Sequence, residues 1–168
     1  MRCALKQRLL VAGGIAGAIL ATASVAPGGA PLLPVNESPS VPVGLYAREG
    51  EGLLKLGSLV TIAPPSSVRG YLASLGFPRE LPLLKRVAAT AGEHVCAEPG
   101  WLQTPRARVE VRSLDRSGHP LPAWHGCRSL AADELLLLGD SAESFDGRYF
   151  GPVKLSSVEA SYREVIRW

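Results

Sequence analysis

The sequence has no internal repeat and no stripe of basic residues. Its 18 basic and 15 acidic residues give a formal net charge of only +3 and are scattered along the chain, so nothing in the charge pattern indicates nucleic-acid binding. The 18 glycines and 14 prolines follow no period, which excludes a collagen-like chain and indicates many turns between short strands. A chain of 168 residues is long enough for one compact domain.

One long uncharged stretch stands near the N-terminus, directly after three basic residues within positions 1–8. As a helix, residues 9–26 would be about 27 Å long, enough to cross the hydrocarbon core of a membrane. The basic flank predicts a cytoplasmic tail at residues 1–8, a single transmembrane anchor at residues 9–26 and an exported domain at residues 27–168. Small residues at positions 21–26 leave a cleavable signal peptide as the alternative.

The three cysteines divide between the two sides of the predicted membrane. Cys3 lies in the cytoplasmic tail, which leaves Cys96 and Cys127 in the exported domain. Two cysteines in an oxidising compartment are more simply explained as a disulfide than as two free thiols. We therefore expect a disulfide between Cys96 and Cys127.

The exported domain is predicted to be mostly β with one short helix. Apolar residues recur at helical spacing in residues 66–77, which predicts that helix. Short apolar or alternating runs between turn residues predict the strands. These runs lie within residues 55–65, 81–98 (two strands around a glycine turn), 107–122 (a hairpin), 134–140 (a buried strand) and 158–168.

The segment NESPSVPVGLY, residues 36–46, places Ser38 and Ser40 beside prolines. Taken alone, such a segment is an ordinary exposed linker. Pro39 and Pro42 restrain the backbone on either side of Ser40, which suits a hydroxyl that must be held in a fixed position. Gly44 would leave room for the backbone of a bound peptide to approach closely.

Lys85 stands within an apolar run, where burial would favour the neutral amine. A pKa about 3 units below the usual value of about 10.4 would make it a general base at neutral pH. A neutral amine can take the proton of a serine hydroxyl, so serine and lysine can replace a Ser-His-Asp triad. Strand alternation must turn either Lys85 or Arg86 outward, and a solvated Lys85 is the alternative.

A third polar segment, residues 139–153, follows the predicted buried strand and is expected at its rim. A hydroxyl here could hold a lysine amine, and Ser144 is the candidate. Asp146 and Arg148 could lock the segment by an ion pair, although a simple polar turn uses the same residue types.

In this order and behind an anchor, the three segments resemble the type I signal peptidase superfamily, and specifically its conjugative-transfer branch, the TraF peptidases. These are membrane-anchored serine endopeptidases with a Ser/Lys dyad. The resemblance is strongest in residues 40–46 (SVPVGLY), 84–95 (LKRVAATAGEHV) and 144–153 (SFDGRYFGPV). It implies a signal-peptidase-like antiparallel β-sheet or barrel, with a small β insertion at about residues 98–132.

Carried over by position, the resemblance makes Ser40 the nucleophile and Lys85 its general base. Ser38 matches a side-chain donor of the oxyanion hole, and the Ser40 backbone N–H is the other donor. Ser144 matches the hydroxyl that orients the lysine, and Asp146 with Arg148 matches a structural pair. Two departures, Glu93 in place of the usual Asp and Gly147 in place of a frequent Ser, leave the dyad intact.

The resemblance implies no metal and no cofactor. A zinc site is the alternative, because two His-X-Cys pairs place ligands on one face of a strand. The residues of this alternative are His94, Cys96, His119, His125 and Cys127.

The resemblance further implies a single-pass protein of the bacterial inner membrane, with its N-terminus in the cytoplasm and its catalytic domain in the periplasm. Its substrate would be an exported precursor peptide or a conjugative pilin, which some members cleave and then cyclise head to tail. Three alternatives stay open: a general signal peptidase, a self-cleaving repressor of related fold, and a non-enzymatic anchored β-domain of a secretion or conjugation apparatus.

Overall fold

Short β-strands make up most of the regular structure in residues 29–50, 52–78 and 81–168, which are the residues that the computed structural model describes. The strands are β1 (Val35–Asn36), β2 (Gly44–Arg48), β3 (Leu59–Ile62), β4 (Leu83–Ala89), β5 (His94–Glu98), β6 (Trp101–Gln103), β7 (Arg108–Glu110), β8 (Gly126–Ser129), β9 (Glu134–Leu138), β10 (Val153–Lys154) and β11 (Val158–Arg167). Two α-helices, α1 (Ser66–Ser74) and α2 (Gly147–Phe150), and a 3-10 turn at Leu155–Ser157 lie between them.

The prediction of a mostly β domain is confirmed, and the predicted helix is α1. Helix α2 was not predicted, because four residues are too few to show a helical period. The tail predicted at residues 1–8 and the anchor predicted at residues 9–26 lie outside the described residues. Of the helices that are described, none has the length and apolar character needed to span a membrane.

Two antiparallel sheets carry the fold of residues 33–168, which form one unit. The larger sheet has seven strands in the order β1-β2-β11-β3-β4-β9-β10. The smaller has four strands in the order β7-β6-β5-β8. Its strands run from His94 to Ser129, so it overlaps the insertion expected at about residues 98–132 but begins earlier in the chain.

Strand β9 is buried on both of its faces, which explains its uninterrupted run of leucines. Leu135 and Leu137 belong to one apolar cluster, and Leu136 and Leu138 belong to the other. The first cluster packs α1 and Phe150 against the larger sheet, with Val60, Ile62, Val68, Leu72, Leu83, Val87 and Val153. The second joins the two sheets through Ala89, Val95, Ala97, Leu102 and Leu130.

Strand β11 lies inside the larger sheet, between β2 and β3. Its register against β2 shifts between Glu164 and Ile166. At this bulge the β11 backbone comes so close to Gly44 that a Cβ there would overlap the Ile166 carbonyl oxygen. The expectation that Gly44 makes room for a bound peptide is therefore wrong, because β11 of the same chain occupies that space.

The hairpin predicted at residues 107–122 forms only in part. Strand β7 pairs with β6, and a single bridge between Leu114 and Pro120 closes the following turn. The Asp115 carboxylate accepts the backbone N–H groups of Ser117 and His119, which fixes the turn. Prolines lack the N–H that a longer ladder would use, so no regular strand follows.

Cys96 and Cys127 face each other across β5 and β8 and are joined by a disulfide with a sequence separation of 31 residues. Cross-linking a loop of this size lowers the entropy of the unfolded chain, which stabilises a fold by about 3 to 4 kcal/mol. We expect the double variant Cys96→Ser with Cys127→Ser to unfold at a lower urea concentration, with a free energy of unfolding that is lower by that amount. Equal unfolding midpoints, with two free thiols in the unmodified protein under non-reducing conditions, would rule out the stabilising disulfide.

Candidate active site

The first predicted segment forms the loop of residues 37–43, which connects β1 to β2. Ser40 is buried in this loop, whereas Ser38 is exposed. Ser40 Oγ accepts a hydrogen bond from Lys85 Nζ at 3.0 Å and another from Ser38 Oγ at 3.1 Å. The structure therefore brings together three predicted site residues that lie up to 47 positions apart in the chain.

Lys85 points into the protein because of the alternation of β4. Leu83, Lys85 and Val87 are buried, and the intervening Leu84 and Arg86 are only partly covered. The Lys85 side chain is 4% exposed, and this burial lowers its pKa from 10.5 to about 8. The negative charge of Asp146 opposes the shift and the positive charge of Arg148 adds to it. Lys85 is thus not the solvated edge residue of the alternative interpretation.

Arg86, the outward neighbour of Lys85, binds a residue that in turn contacts the serine loop. Its guanidinium forms two hydrogen bonds with the Asp140 carboxylate, at 2.9 and 2.8 Å. The Asp140 backbone N–H in turn donates to the Ser40 carbonyl oxygen at 2.6 Å. Asp140 therefore connects the strand of the lysine with the loop of the serine.

Asp146 and Arg148 form a buried ion pair, not the rim contact that was expected. The guanidinium binds both carboxylate oxygens of Asp146, at 2.8 and 2.7 Å. Its remaining N–H groups donate to backbone carbonyl oxygens of Ser141, Ala142 and Ser144. A buried pair is stable only when its remaining donors and acceptors are satisfied in this way, so the pair fixes the backbone of the whole loop.

Ser144 does not make the hydrogen bond to Lys85 that its predicted orienting role requires. Its side chain is buried, yet its Oγ has no hydrogen-bond partner among the described residues. The hydroxyl packs instead against Gly139, where a Cβ would overlap it and would lie 2.6 Å from the Ser40 carbonyl oxygen. The structure thus leaves an unpaired hydroxyl beside the serine loop.

Gly139 is a site residue that the sequence did not reveal. The sequence suggested only that it ends the buried strand. In the structure it allows the loop of Ser144 and the loop of Ser40 to meet, and its N–H donates to Asp146 Oδ2 at 2.8 Å. The only signal was a glycine directly after a buried strand, which is common in turns that have no function.

The two predicted oxyanion donors are adjacent and bonded to each other. The Ser40 N–H donates to Ser38 Oγ at 3.3 Å, and Ser38 Oγ donates to Ser40 Oγ. A substrate carbonyl oxygen would have to replace both of these bonds to receive both donors, because the Ser38 hydroxyl has only one hydrogen to donate. Both predicted donors therefore lie beside Ser40 Oγ, but each is engaged in a bond between Ser38 and Ser40.

The zinc alternative is not compatible with the positions of its ligands. Among the described residues, only Cys96, Glu98 and Cys127 come close enough together to form a group of three possible ligands. The disulfide occupies both sulfur atoms of that group. His119 instead lies 3.2 Å from an Asp115 oxygen that also accepts a hydrogen bond from Tyr71.

Comparison with known proteins adds evidence that is independent of this geometry. The family model described as "Signal peptidase, peptidase S26" matches residues 5–168. The chain belongs to this signal peptidase family. The resemblance found in the three polar segments is confirmed, and the match spans all three of them.

Several relatives of the chain carry names from plasmid transfer. It is 34% identical over 169 residues to "Plasmid transfer protein TraF" of Escherichia coli, covering 93% of each chain. It is 32% identical over 166 residues to "Conjugal transfer protein TraF" of Agrobacterium fabrum (strain C58 / ATCC 33970), covering 90% of this chain and 92% of the relative. A crystal structure of a signal peptidase I from Enterococcus faecalis V583 is similar at a TM-score of 0.40 and 18% identity, covering 67% of this chain and 98% of the other.

The buried ion pair yields a prediction about stability. Asp146→Ala would leave the Arg148 guanidinium buried without its counter-charge, so we expect a loss of about 3 to 5 kcal/mol in the free energy of unfolding. Asp133→Ala is the matched control, because it breaks an ion pair with Lys154 in which both side chains are more than half exposed. Such a pair contributes only about 0 to 1 kcal/mol. Urea unfolding of both variants measures the difference, and equal losses would contradict the structural role.

Proposed function

We propose that the protein is a serine endopeptidase in which Ser40 is the nucleophile and Lys85 is the general base. The observation that carries this proposal is the 3.0 Å hydrogen bond between Ser40 Oγ and the Nζ of a buried lysine. Because the Lys85 pKa is lowered to about 8, a substantial fraction of the amine is neutral near physiological pH. A neutral amine at this distance can accept the serine proton.

The proposed reaction uses each of these groups in turn. Ser40 Oγ attacks the substrate carbonyl carbon while its proton passes to Lys85 Nζ. The oxygen that becomes negative receives hydrogen bonds from the Ser40 N–H and from Ser38 Oγ, a type of contact that contributes about 3 to 4 kcal/mol for each donor. The Lys85 ammonium then gives its proton to the leaving amine, and the C-terminal fragment departs with a new amino terminus, while the N-terminal fragment stays bound to Ser40 as an ester.

The acyl-enzyme has two possible acceptors. Water gives a cleaved product, with Lys85 again taking the proton of the nucleophile. The amine at the other end of the same substrate chain would give a cyclic peptide. Because the same residues serve both reactions, the acceptor is set by which group reaches the ester.

The proposed substrate is an exported precursor peptide, and in particular a conjugative pilin. The names of the relatives in plasmid and conjugal transfer support this assignment. The corresponding location is the bacterial inner membrane, with residues 9–26 as the anchor and the catalytic domain in the periplasm. A general signal peptidase would use the same residues and would differ only in its substrate.

A non-enzymatic β-domain is the less favoured function. Burial of a lysine is costly because its charged form loses solvation. Among the residues that the structure describes, Lys85 has no carboxylate as a hydrogen-bond partner, and its partner is the Ser40 hydroxyl. A domain that served only as a scaffold would gain stability from an apolar residue at this position, so the presence of a buried lysine here favours a catalytic role.

The pH dependence of cleavage tests the role of Lys85. The base must be neutral, so kcat/KM should rise about tenfold per pH unit below the Lys85 pKa of about 8 and level off above it. The measurement is cleavage of a peptide substrate between pH 6 and pH 9.5. A rate that stays constant across this range would remove Lys85 as the titrating base.

Substitution of the two reacting residues tests the dyad itself. In cells that carry the conjugation genes, Ser40→Ala and Lys85→Met should each abolish processing, so that an unprocessed exported precursor accumulates and is identified by mass spectrometry. Lys154→Met is the control, because it removes a lysine that is about half exposed and lies in another part of the larger sheet. A mature product whose mass is lower by one water than the cleaved peptide indicates cyclisation. Normal processing in Lys85→Met would refute the proposed base.

A further inference from the structure

The loop that carries Ser40 cannot hold its own shape through regular turn hydrogen bonds. Residues 37–43 connect two strands that pair through Asn36 and Gly44. Pro39 and Pro42 have no N–H, so the loop has too few donors for its carbonyl oxygens. Buried carbonyl groups need a partner, and this loop must find donors elsewhere.

Donors outside the loop meet this need at several points. The Asp140 N–H donates to the Ser40 carbonyl oxygen at 2.6 Å, and the Trp168 N–H donates to that of Val43 at 3.1 Å. The Tyr46 hydroxyl donates to the Pro42 carbonyl oxygen, also at 2.6 Å. Each of these contacts fixes one carbonyl group.

The Asn36 side chain binds the loop on both sides of Ser40. Its Nδ2 donates to the carbonyl oxygen of Ser38 at 2.8 Å, and to those of Val41 and Pro42 at 3.1 and 2.9 Å. Its Oδ1 accepts the Ser38 N–H at 3.2 Å. Both ends of the carboxamide are therefore used, and Asn36 is the only asparagine in the chain.

We infer that Asn36 is a positioning residue that sets the reach of Ser40 Oγ toward Lys85 and of Ser38 toward the oxyanion. Its carboxamide contacts neither Oγ directly, so it acts through the loop backbone. The inference rests on the proposed peptidase function. Asn36 opens the first polar segment, but nothing in the sequence indicated that it has a role in the site.

The chemistry of the carboxamide accounts for the residue type. Aspartate has the same shape but no donor, and its charge would face three carbonyl oxygens. Alanine would leave those oxygens without the shared donor. A side chain of this length with an N–H₂ group and a carbonyl oxygen can donate to the Ser38 carbonyl oxygen and accept the Ser38 N–H. Its N–H₂ group also reaches the carbonyl oxygens of Val41 and Pro42.

The test compares Asn36→Asp with the unmodified protein on a synthetic peptide that spans the cut site of the precursor accumulated in Ser40→Ala cells. A nucleophile displaced by about 1 Å lowers the rate by about 10²-fold, so we expect kcat to fall by about that factor. KM should change by less than about threefold, because the altered contacts position the nucleophile rather than hold the peptide. Tyr46→Phe removes one donor to the same loop and should give a smaller fall in kcat.

Gln103→Glu is the matched control, since it makes the same amide-to-acid change on an exposed residue of the smaller sheet. Thermal unfolding establishes that each variant is folded, and Asn36→Ala replaces Asn36→Asp if the charged variant is not. The proposal is overturned by a folded variant whose kcat is within twofold of the unmodified protein. It is equally overturned by an effect on KM alone, or by failure of both Asn36 variants to fold, which would assign Asn36 to stability only.

The experiment also separates this inference from the proposed function. If the unmodified protein shows no Ser40-dependent cleavage, the peptidase assignment fails. If cleavage depends on Ser40 and Lys85 but not on Asn36, only the positioning role is rejected.

Discussion

The site depends on one energetic conflict, the burial of the Lys85 amine opposite Ser40. Water would stabilise the ammonium, but the interior of the larger sheet excludes it, so the neutral form becomes accessible near pH 8. The nearby buried charges of Asp146 and Arg148 act on the amine with opposite signs. The paired guanidinium and carboxylate can therefore organise the surrounding backbone without restoring the lysine to its ordinary pKa.

Three backbone segments converge on this amine, and different physical means hold each of them. The strand of Lys85 is fixed by its ladder with β3 and β9. The segment after β9 is fixed by the Asp146–Arg148 pair and its carbonyl contacts. The loop of Ser40 has no regular secondary structure, so hydrogen bonds from neighbouring parts of the fold keep it in place.

The sequence was a good guide to features that depend on local pattern. The alternation of β4, the leucine run of β9 and the period of α1 are local, and the structure has all three. The bulge opposite Gly44, the contact of Gly139 with Ser144 and the contacts of Asn36 depend on segments that are distant in sequence or on the path of a loop. Local pattern cannot encode these contacts. The hydrogen bond expected from Ser144 to Lys85 is also missing, which shows that matching a position to a family does not determine where its side chain points.

The place of β11 in the larger sheet has a consequence for how the site is assembled. Among the described strands of the larger sheet, β1 and β2 flank the serine loop, and they are joined to β3 and β4 only through β11. Lys85 lies in β4. Strand β11 lies far along the chain from both pairs, and contacts between distant segments form slowly because a long loop must first close. The sheet that holds Ser40 opposite Lys85 is therefore complete only when β11 has paired with both β2 and β3, so the contact between these two residues depends on pairing between strands that are distant in the chain.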